Sequence, residues 1–173
     1  NKTFENHRYK RAFTDNGIWL GADGSPAAKT DILTQSFAQI SGIAPQKNIA
    51  EALTYSEKMV DKKAGLIKLL EPAFNKTYYA GYISSYPEGL RENGGQYTHA
   101  AVWYIKALAD FGRLDKAYEM LRLINPAEKC ADPDKYAMYM GEPYVVSADI
   151  YTNKDNYGRC GWTWYTGSSS WMY

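Results

Sequence analysis

Hydrophobic residues recur at helical spacing along most of the chain, and two kinds of helical segment alternate. The first carries almost no charge: it runs from residue 30 to the stop at Gly42, and either Thr30 or Asp31 can cap it. Its apolar and small side chains form a stripe made of Leu33, Ser36, Phe37 and Ile40. The next segment, 45–61, has an apolar stripe opposite charged residues. The pattern predicts a covered helix followed by a half-exposed one.

The same alternation returns later in the chain. Segment 96–111 is apolar on both faces apart from Lys106 and Asp110, and segment 114–124 is amphipathic. A third low-charge helix is predicted from residue 142 to residue 150, because proline at position 143 favours a first helical turn. Residues 1–30 are polar and rich in glycine, which predicts an irregular lead-in with short strands.

Helices that are apolar all round must be covered on every side, whereas amphipathic helices need only one buried face. Their alternation predicts an all-α fold, in which two concentric layers of helix hairpins form a toroid. Only about two and a half hairpins fit into the chain, and residues 168–173 read as the start of a further helix. We therefore expect residues 1–173 to form one partial domain, whose open toroid edge favours association with a second copy.

Composition limits the function classes. The 173 residues, 45% of them apolar and 23% charged, suffice for one globular domain. A formal net charge of +1 argues against nucleic-acid partners, and no apolar run is long enough for a membrane helix. The chain begins with neither Met nor a signal-peptide pattern, so it looks trimmed. Cys130 and Cys160 fit no zinc motif and are interpreted as reduced thiols of a cytoplasmic protein.

Aromatic residues make up 15% of the chain: 16 Tyr, 5 Trp and 5 Phe. Many of them lie among Gly, Asn, Gln and Ser. Sugar-binding clefts have this composition, because an aromatic face covers the apolar side of a pyranose while amides and carboxylates bind its hydroxyls. An aromatic-rich core explains the same numbers, and composition alone favours the core.

Two loops carry the unusual residues. In segment 86–99 two glycines precede a helix, and His99 falls in its first turn, where it is either a satisfied core group or, with Arg91 nearby, part of an anion site. Segment 158–168 combines Gly and aromatic residues and ends in Thr-Gly-Ser at a predicted helix start. Hydroxyl and backbone N–H groups there favour phosphate, although a simple helix cap beside packed tryptophans is about as plausible.

Segments 91–101, 142–146 and 161–168 strongly resemble glycoside hydrolase family 94. This family holds inverting glycoside phosphorylases and the phosphorylase-like domain of cyclic β-1,2-glucan synthases. The similarity extends from about Tyr9 to the end, and the Gln-Tyr-Thr-His sequence at 96–99 is closer to the β-1,2-glucan branch. The resemblance implies the carboxyl-terminal half of an (α/α)6 barrel that binds a β-linked glucan and inorganic phosphate, with no other cofactor.

By motif position, the resemblance assigns phosphate binding to three residues: His99, Thr166 and Gly167. It assigns sugar contacts to five more: Tyr86 and Arg91 on the acceptor side, Glu92 on the donor side, and Gln96 and Glu142 facing the cleft. In this family phosphate attacks the anomeric carbon while an Asp protonates the leaving oxygen, releasing glucose 1-phosphate with inversion.

The sequence departs from the family in its catalytic acid. That acid belongs to a Trp-Asn-Asp-Gly motif, which is absent here, and residues 14–17 resemble it only superficially. A phosphate-binding arginine and the β-sandwich domain that precede this region in the family are also missing. The isolated chain is therefore expected to be inactive. The alternatives are a non-catalytic carbohydrate-binding helical module and a helical interaction domain.

Overall fold

The computed structural model describes residues 2–76, 78, 80–164 and 167–173. It opens with two short antiparallel hairpins. In the first, β1 (Phe4–Glu5) pairs with β2 (Arg8–Tyr9); in the second, β3 (Ala12–Phe13) pairs with β4 (Trp19–Leu20). Glycine and polar residues separate these strands, as the irregular lead-in of the sequence suggests.

Two helices follow the lead-in. β5 (Thr30–Asp31) runs into α1 (Ile32–Ile40), and Asp31 caps this helix by accepting hydrogen bonds from the backbone N–H groups of Leu33 at 2.8 Å and Thr34 at 3.3 Å. α2 (Gln46–Tyr55) continues into a 3₁₀ turn (Ser56–Met59), so the second predicted helix ends before β6 (Val60–Asp61). β6 pairs with β7 (Leu66–Ile67), and β5 pairs with β8 (Leu70–Glu71).

The second half repeats strands and helices. Strand β9 (Gln96–Tyr97) leads directly into α3 (Thr98–Asp110). Three helices follow: α4 (Leu114–Ile124), α5 (Pro126–Cys130) and α6 (Pro133–Tyr139). The last elements are β10 (Asp149–Ile150), which pairs with β9, and the short helix α7 (Ser169–Met172).

The main core lies between α1, α2, α3 and α4. It buries large side chains from each of them, including Ile32, Leu53, Leu108 and Met120. The buried Tyr104 in α3 donates its hydroxyl to the Leu53 carbonyl at 3.1 Å, which ties α3 to α2 and satisfies the polar end of the ring. A smaller core joins β7, α6 and β10 through Ala64, Leu66, Tyr139, Ile150 and Cys160.

The all-α prediction is wrong. The described residues contain five two-stranded antiparallel sheets, and the molecule is a mixed α/β unit rather than a toroid of helix hairpins. The helices at 98–110 and 114–124 exist, but strands and turns occupy much of the chain between residues 60 and 97. Self-association through an open toroid edge therefore loses its basis.

The helix predicted from Glu142 to Ile150 is wrong as well. Residues 141–148 form turns, and Asp149–Ile150 is the strand β10. Backbone bonds across the fold hold this segment extended: Thr98 N donates to Ala148 O at 2.9 Å, and Ala148 N donates to Trp162 O at 2.7 Å. A short uncharged run fits a buried strand as well as a buried helix, so periodicity could not separate them.

Two smaller predictions concern the thiols and the membrane. Cys130 and Cys160 are both free. The longest helix, α3, has 13 residues, and within the described ranges no helix has the length and apolar character that crossing a bilayer requires.

Candidate functional site

A tight turn before β9 presents Arg91 and Glu92. The turn is closed by Asn93 N, which donates to Leu90 O at 2.9 Å. Arg91 has a φ of 47°, in the left-handed region that residues with a Cβ rarely occupy. Such a conformation persists only where surrounding contacts impose it, and it is concentrated at functional sites.

Asn93 imposes this conformation from below the turn. Its fully buried side chain accepts from Phe74 N at 2.8 Å and donates to Phe74 O at 2.9 Å and to Tyr86 O at 2.8 Å. Gly95 brings the loop against β10, since a Cβ there would lie 2.9 Å from Ile150 O. Asn93 and Gly95 therefore hold the backbone of Tyr86 and the turn at 90–93 in fixed positions relative to each other.

The Arg91 guanidinium lies between two aromatic rings. Its Cζ is 5.3 Å from the Tyr86 ring centroid and 4.9 Å from the Trp162 ring centroid, both within cation–π range. Its Nε is 3.7 Å from Glu92 Oε2. Three of the residues predicted from the sequence, Tyr86, Arg91 and Glu92, are thus brought together, and Trp162 joins them.

Asp149 is a further candidate for the site that no sequence motif indicated. It lies on β10 opposite Tyr97, is 2% exposed, and accepts from Trp162 N at 3.1 Å. Burial raises the pKa of the Asp149 carboxyl, and the charge of Glu92 adds to the rise, whereas Trp162 N–H and Arg91 oppose it. The available signal was a lone acid inside the apolar run 143–150, which the helix prediction obscured.

Glu92 and Asp149 each bury one carboxyl oxygen without a hydrogen bond. Within the described part of the chain, neither Glu92 Oε2 nor Asp149 Oδ2 has a hydrogen-bond partner. Buried carboxylate oxygens are normally satisfied, so such exceptions require an explanation. The absence of a side chain at Gly161 lets the backbone approach the Asp149 carboxyl, because a Cβ there would collide with Asp149 Oδ1. The two carboxyls and Arg91 form a compact polar group beside exposed aromatic rings.

His99 lies in the first turn of α3, immediately after β9. Its ring is half-buried, 5.8 Å from the Tyr97 ring and 5.4 Å from the Trp103 ring. Trp103 in turn contacts Trp171 of α7 edge-on at 5.7 Å. His99 and α7 are therefore connected through one indole.

The loop before α7 is described only in part. Gly167 is exposed, and Ser168, which precedes α7, buries a hydroxyl oxygen with no hydrogen-bond partner among the described residues. Thr166, the third predicted phosphate ligand, lies outside the described residues.

Gln96 and Glu142 occupy different surroundings. Gln96 is 1% exposed, accepts from Ile67 N at 2.9 Å and donates to Thr98 Oγ1 at 3.2 Å, so both ends of its amide are used within the chain. Glu142 lies beside the smaller core, where its charge adds to the effect of burial in raising the pKa of the Cys160 thiol. Among the described residues, no three His, Cys, Asp or Glu side chains are grouped as metal ligands.

Comparison with known proteins decides the family. The model of the glycosyl hydrolase 94 superfamily catalytic domain matches residues 1–173. The chain belongs to this family. The resemblance carried by segments 91–101, 142–146 and 161–168 is thereby confirmed.

Relatives include one glucan synthase and several phosphorylases. A cyclic beta-(1,2)-glucan synthase NdvB of Rhizobium meliloti is 38% identical over 95% of this chain and 6% of its own length. An N,N'-diacetylchitobiose phosphorylase of Vibrio proteolyticus is 26% identical, and a solabiose phosphorylase of Paenibacillus borealis is 25% identical, each over 95% of this chain. The chain spans 20% of the former phosphorylase and 21% of the latter.

Proposed function

We propose that this chain supplies sugar- and phosphate-binding residues to an inverting phosphorylase or synthase that acts on β-linked glucans. The reaction is attack of phosphate on the anomeric carbon, with protonation of the departing oxygen and release of glucose 1-phosphate. The acid that protonates this oxygen is not among the residues of the chain, so the chain positions substrates rather than completing the reaction.

The observation that carries the proposal is the group formed by Arg91, Glu92 and Asp149. Two carboxyls with unsatisfied buried oxygens beside a guanidinium offer acceptors and donors suited to sugar hydroxyls. Two sugar hydroxyls, one donating to Glu92 Oε2 and the other to Asp149 Oδ2, would supply the missing hydrogen bonds. Glu92 contacts the donor sugar, and Tyr86 and Arg91 line the acceptor side.

Phosphate binding is assigned to His99, Thr166 and Gly167. The amino-terminal end of α3 favours an anion beside His99, and an imidazole N–H can donate a hydrogen bond to it. The link from His99 through Trp103 to Trp171 supports this assignment, because it connects α3 with the helix that follows Gly167. Gln96 and Glu142 are assigned to the wall of the cleft.

Calorimetry tests the two halves of this proposal separately. Inorganic phosphate should bind the parent chain but not His99→Ala. The control is His7→Ala, which should still bind phosphate, because His7 is the other histidine of the sequence and is exposed. A β-1,2-linked glucose disaccharide should lose binding in Glu92→Gln, which keeps the shape and removes the charge. Equal phosphate heats in His99→Ala and the parent, or no phosphate binding by the parent, would contradict the phosphate assignment.

A further inference from the structure

Four side chains are linked by successive ring contacts into one group, which we call the aromatic track: Tyr82, Tyr86, Arg91 and Trp162. The Tyr82 and Tyr86 rings meet edge-on with centroids 6.3 Å apart. Arg91 Cζ follows at 5.3 Å from Tyr86, and the Trp162 ring lies 4.9 Å beyond it. Residues from two distant segments, 82–91 and 162, thus build one surface.

The two ends of the aromatic track remain exposed. Tyr82 is 65% exposed and Trp162 is 63% exposed, whereas the Arg91 side chain between them is 31% exposed. Large aromatic side chains are normally buried, and exposed ones grouped in a row mark a binding surface. The Arg91 sandwich also fixes the orientation of Tyr86 and Trp162, so less ordering is needed when a ligand binds.

The charge balance of the aromatic track favours a neutral, hydroxyl-rich ligand. The Arg91 guanidinium is paired with the Glu92 carboxylate, which balances its charge within the track. Aromatic faces cover the apolar sides of pyranose rings, while the guanidinium and carboxyls bind hydroxyls. A chain of sugars satisfies both features.

We propose that the aromatic track binds the glucan chain beyond the sugars at the reaction centre, with Tyr82 as the outermost contact, and so makes this protein select longer glucans over disaccharides. The inference rests on the proposed function, which places the reacting sugar at Glu92. Glu92 pairs with Arg91 in the middle of the track, and the track extends from there through Tyr86 to Tyr82 on one side and to Trp162 on the other. Tyr82 and Trp162 are thereby assigned a role in chain-length selection.

Chain-length dependence of binding tests the aromatic track. The full chain is titrated separately with a β-1,2-linked glucose disaccharide and with the hexasaccharide, and NMR of the indole N–H groups monitors binding. The hexasaccharide should bind about tenfold more tightly, because it makes one additional ring contact. Tyr82→Ala should abolish this preference and leave disaccharide binding unchanged. The matched control is Tyr118→Ala, since Tyr118 is 63% exposed and lies 6.0 Å from an arginine, but on α4.

The outcomes separate the two proposals. Equal affinities for the two glucans in the parent, or a preference that survives Tyr82→Ala, would overturn the aromatic track while disaccharide and phosphate binding still support the proposed function. Binding of neither glucan would contradict both. Because Tyr82 is exposed, its loss should not unfold the chain, and circular dichroism of Tyr82→Ala and Tyr118→Ala checks this.

Discussion

Asp149 is a buried carboxyl whose charged form lowers the stability of the fold. Its carboxyl is 2% exposed, one oxygen has no hydrogen bond among the described residues, and burial raises its pKa. A buried carboxyl of this kind destabilises the folded state when it is charged. Carboxyls with such perturbed pKa values are concentrated at sites where the charged or the neutral form of the group binds a ligand.

Asp149→Asn should remove a pH-dependent penalty. Because the folded state holds the Asp149 proton more tightly than the unfolded state, the parent loses stability as pH rises from the ordinary carboxyl range through the raised folded pKa. Each pKa unit is worth about 1.4 kcal/mol. In urea unfolding at pH 4 and pH 7, the free energy of unfolding of the variant relative to that of the parent should therefore be higher at pH 7. Asp155→Asn, which removes the same charge from an exposed position, should show no such gain; a pH-independent difference would contradict the argument.

At the scale of elements, the loop 86–95 is stabilised by one amide. Asn93 makes three hydrogen bonds to Phe74 and Tyr86 with no exposure to solvent. Asn93→Ala should lower the free energy of unfolding by roughly 3 kcal/mol, because buried backbone groups lose their partners. Thermal and urea unfolding measure this loss, and Asn16→Ala in an exposed turn serves as the control.

The same substitution should displace Tyr86 and Arg91. Sugar binding by Asn93→Ala should fall at temperatures where the variant is still folded, since the backbone of Tyr86 is no longer held. Unchanged stability and binding together would show that the turn is held by its backbone alone.

The elements also show what sequence reasoning can reach. The helices of the main core were predictable because α3 and α4 each exceed ten residues and their periodicity extends over several turns. The two-residue strands were not, since pairs such as Gln96 with Ile150 join positions more than fifty residues apart, and no local pattern specifies them.

The candidate site was also predictable only where its residues are close together in the sequence. Tyr86, Arg91 and Glu92 share one loop and one motif, so a resemblance located them together. Asp149 and Trp162 reach the loop only through the pairing of β10 with β9 and the backbone bonds around Ala148. The error of an all-α fold hid Asp149, because a helix over 142–150 leaves no strand to carry Asp149 to Tyr97.

Across the whole molecule, Lys129 joins the helices to the smaller core. It lies on α5, is 3% exposed, and donates from Nζ to Ala64 O at 3.0 Å and to Gly65 O. Burial, together with the charge of Lys135, lowers the pKa of Lys129 to about 8, and Asp61 and Cys130 only partly oppose this. The two carbonyls accept the ammonium hydrogens, but the interior still disfavours its charge.

This arrangement predicts an alkaline rise in stability. Between about pH 8 and the ordinary lysine pKa of 10.5, the unfolded chain keeps a proton that the folded chain has released, so the free energy of unfolding rises with pH by up to about 3 kcal/mol. Lys129→Met should lack this rise, and the exposed Lys47→Met should retain it. Urea unfolding of the three proteins from pH 7.5 to pH 10 provides the comparison, and the tyrosines common to all three cancel. If Lys129→Met and the parent changed in parallel, the buried amine would be fully charged throughout, and the contact with Ala64 and Gly65 would be a simple ammonium clamp.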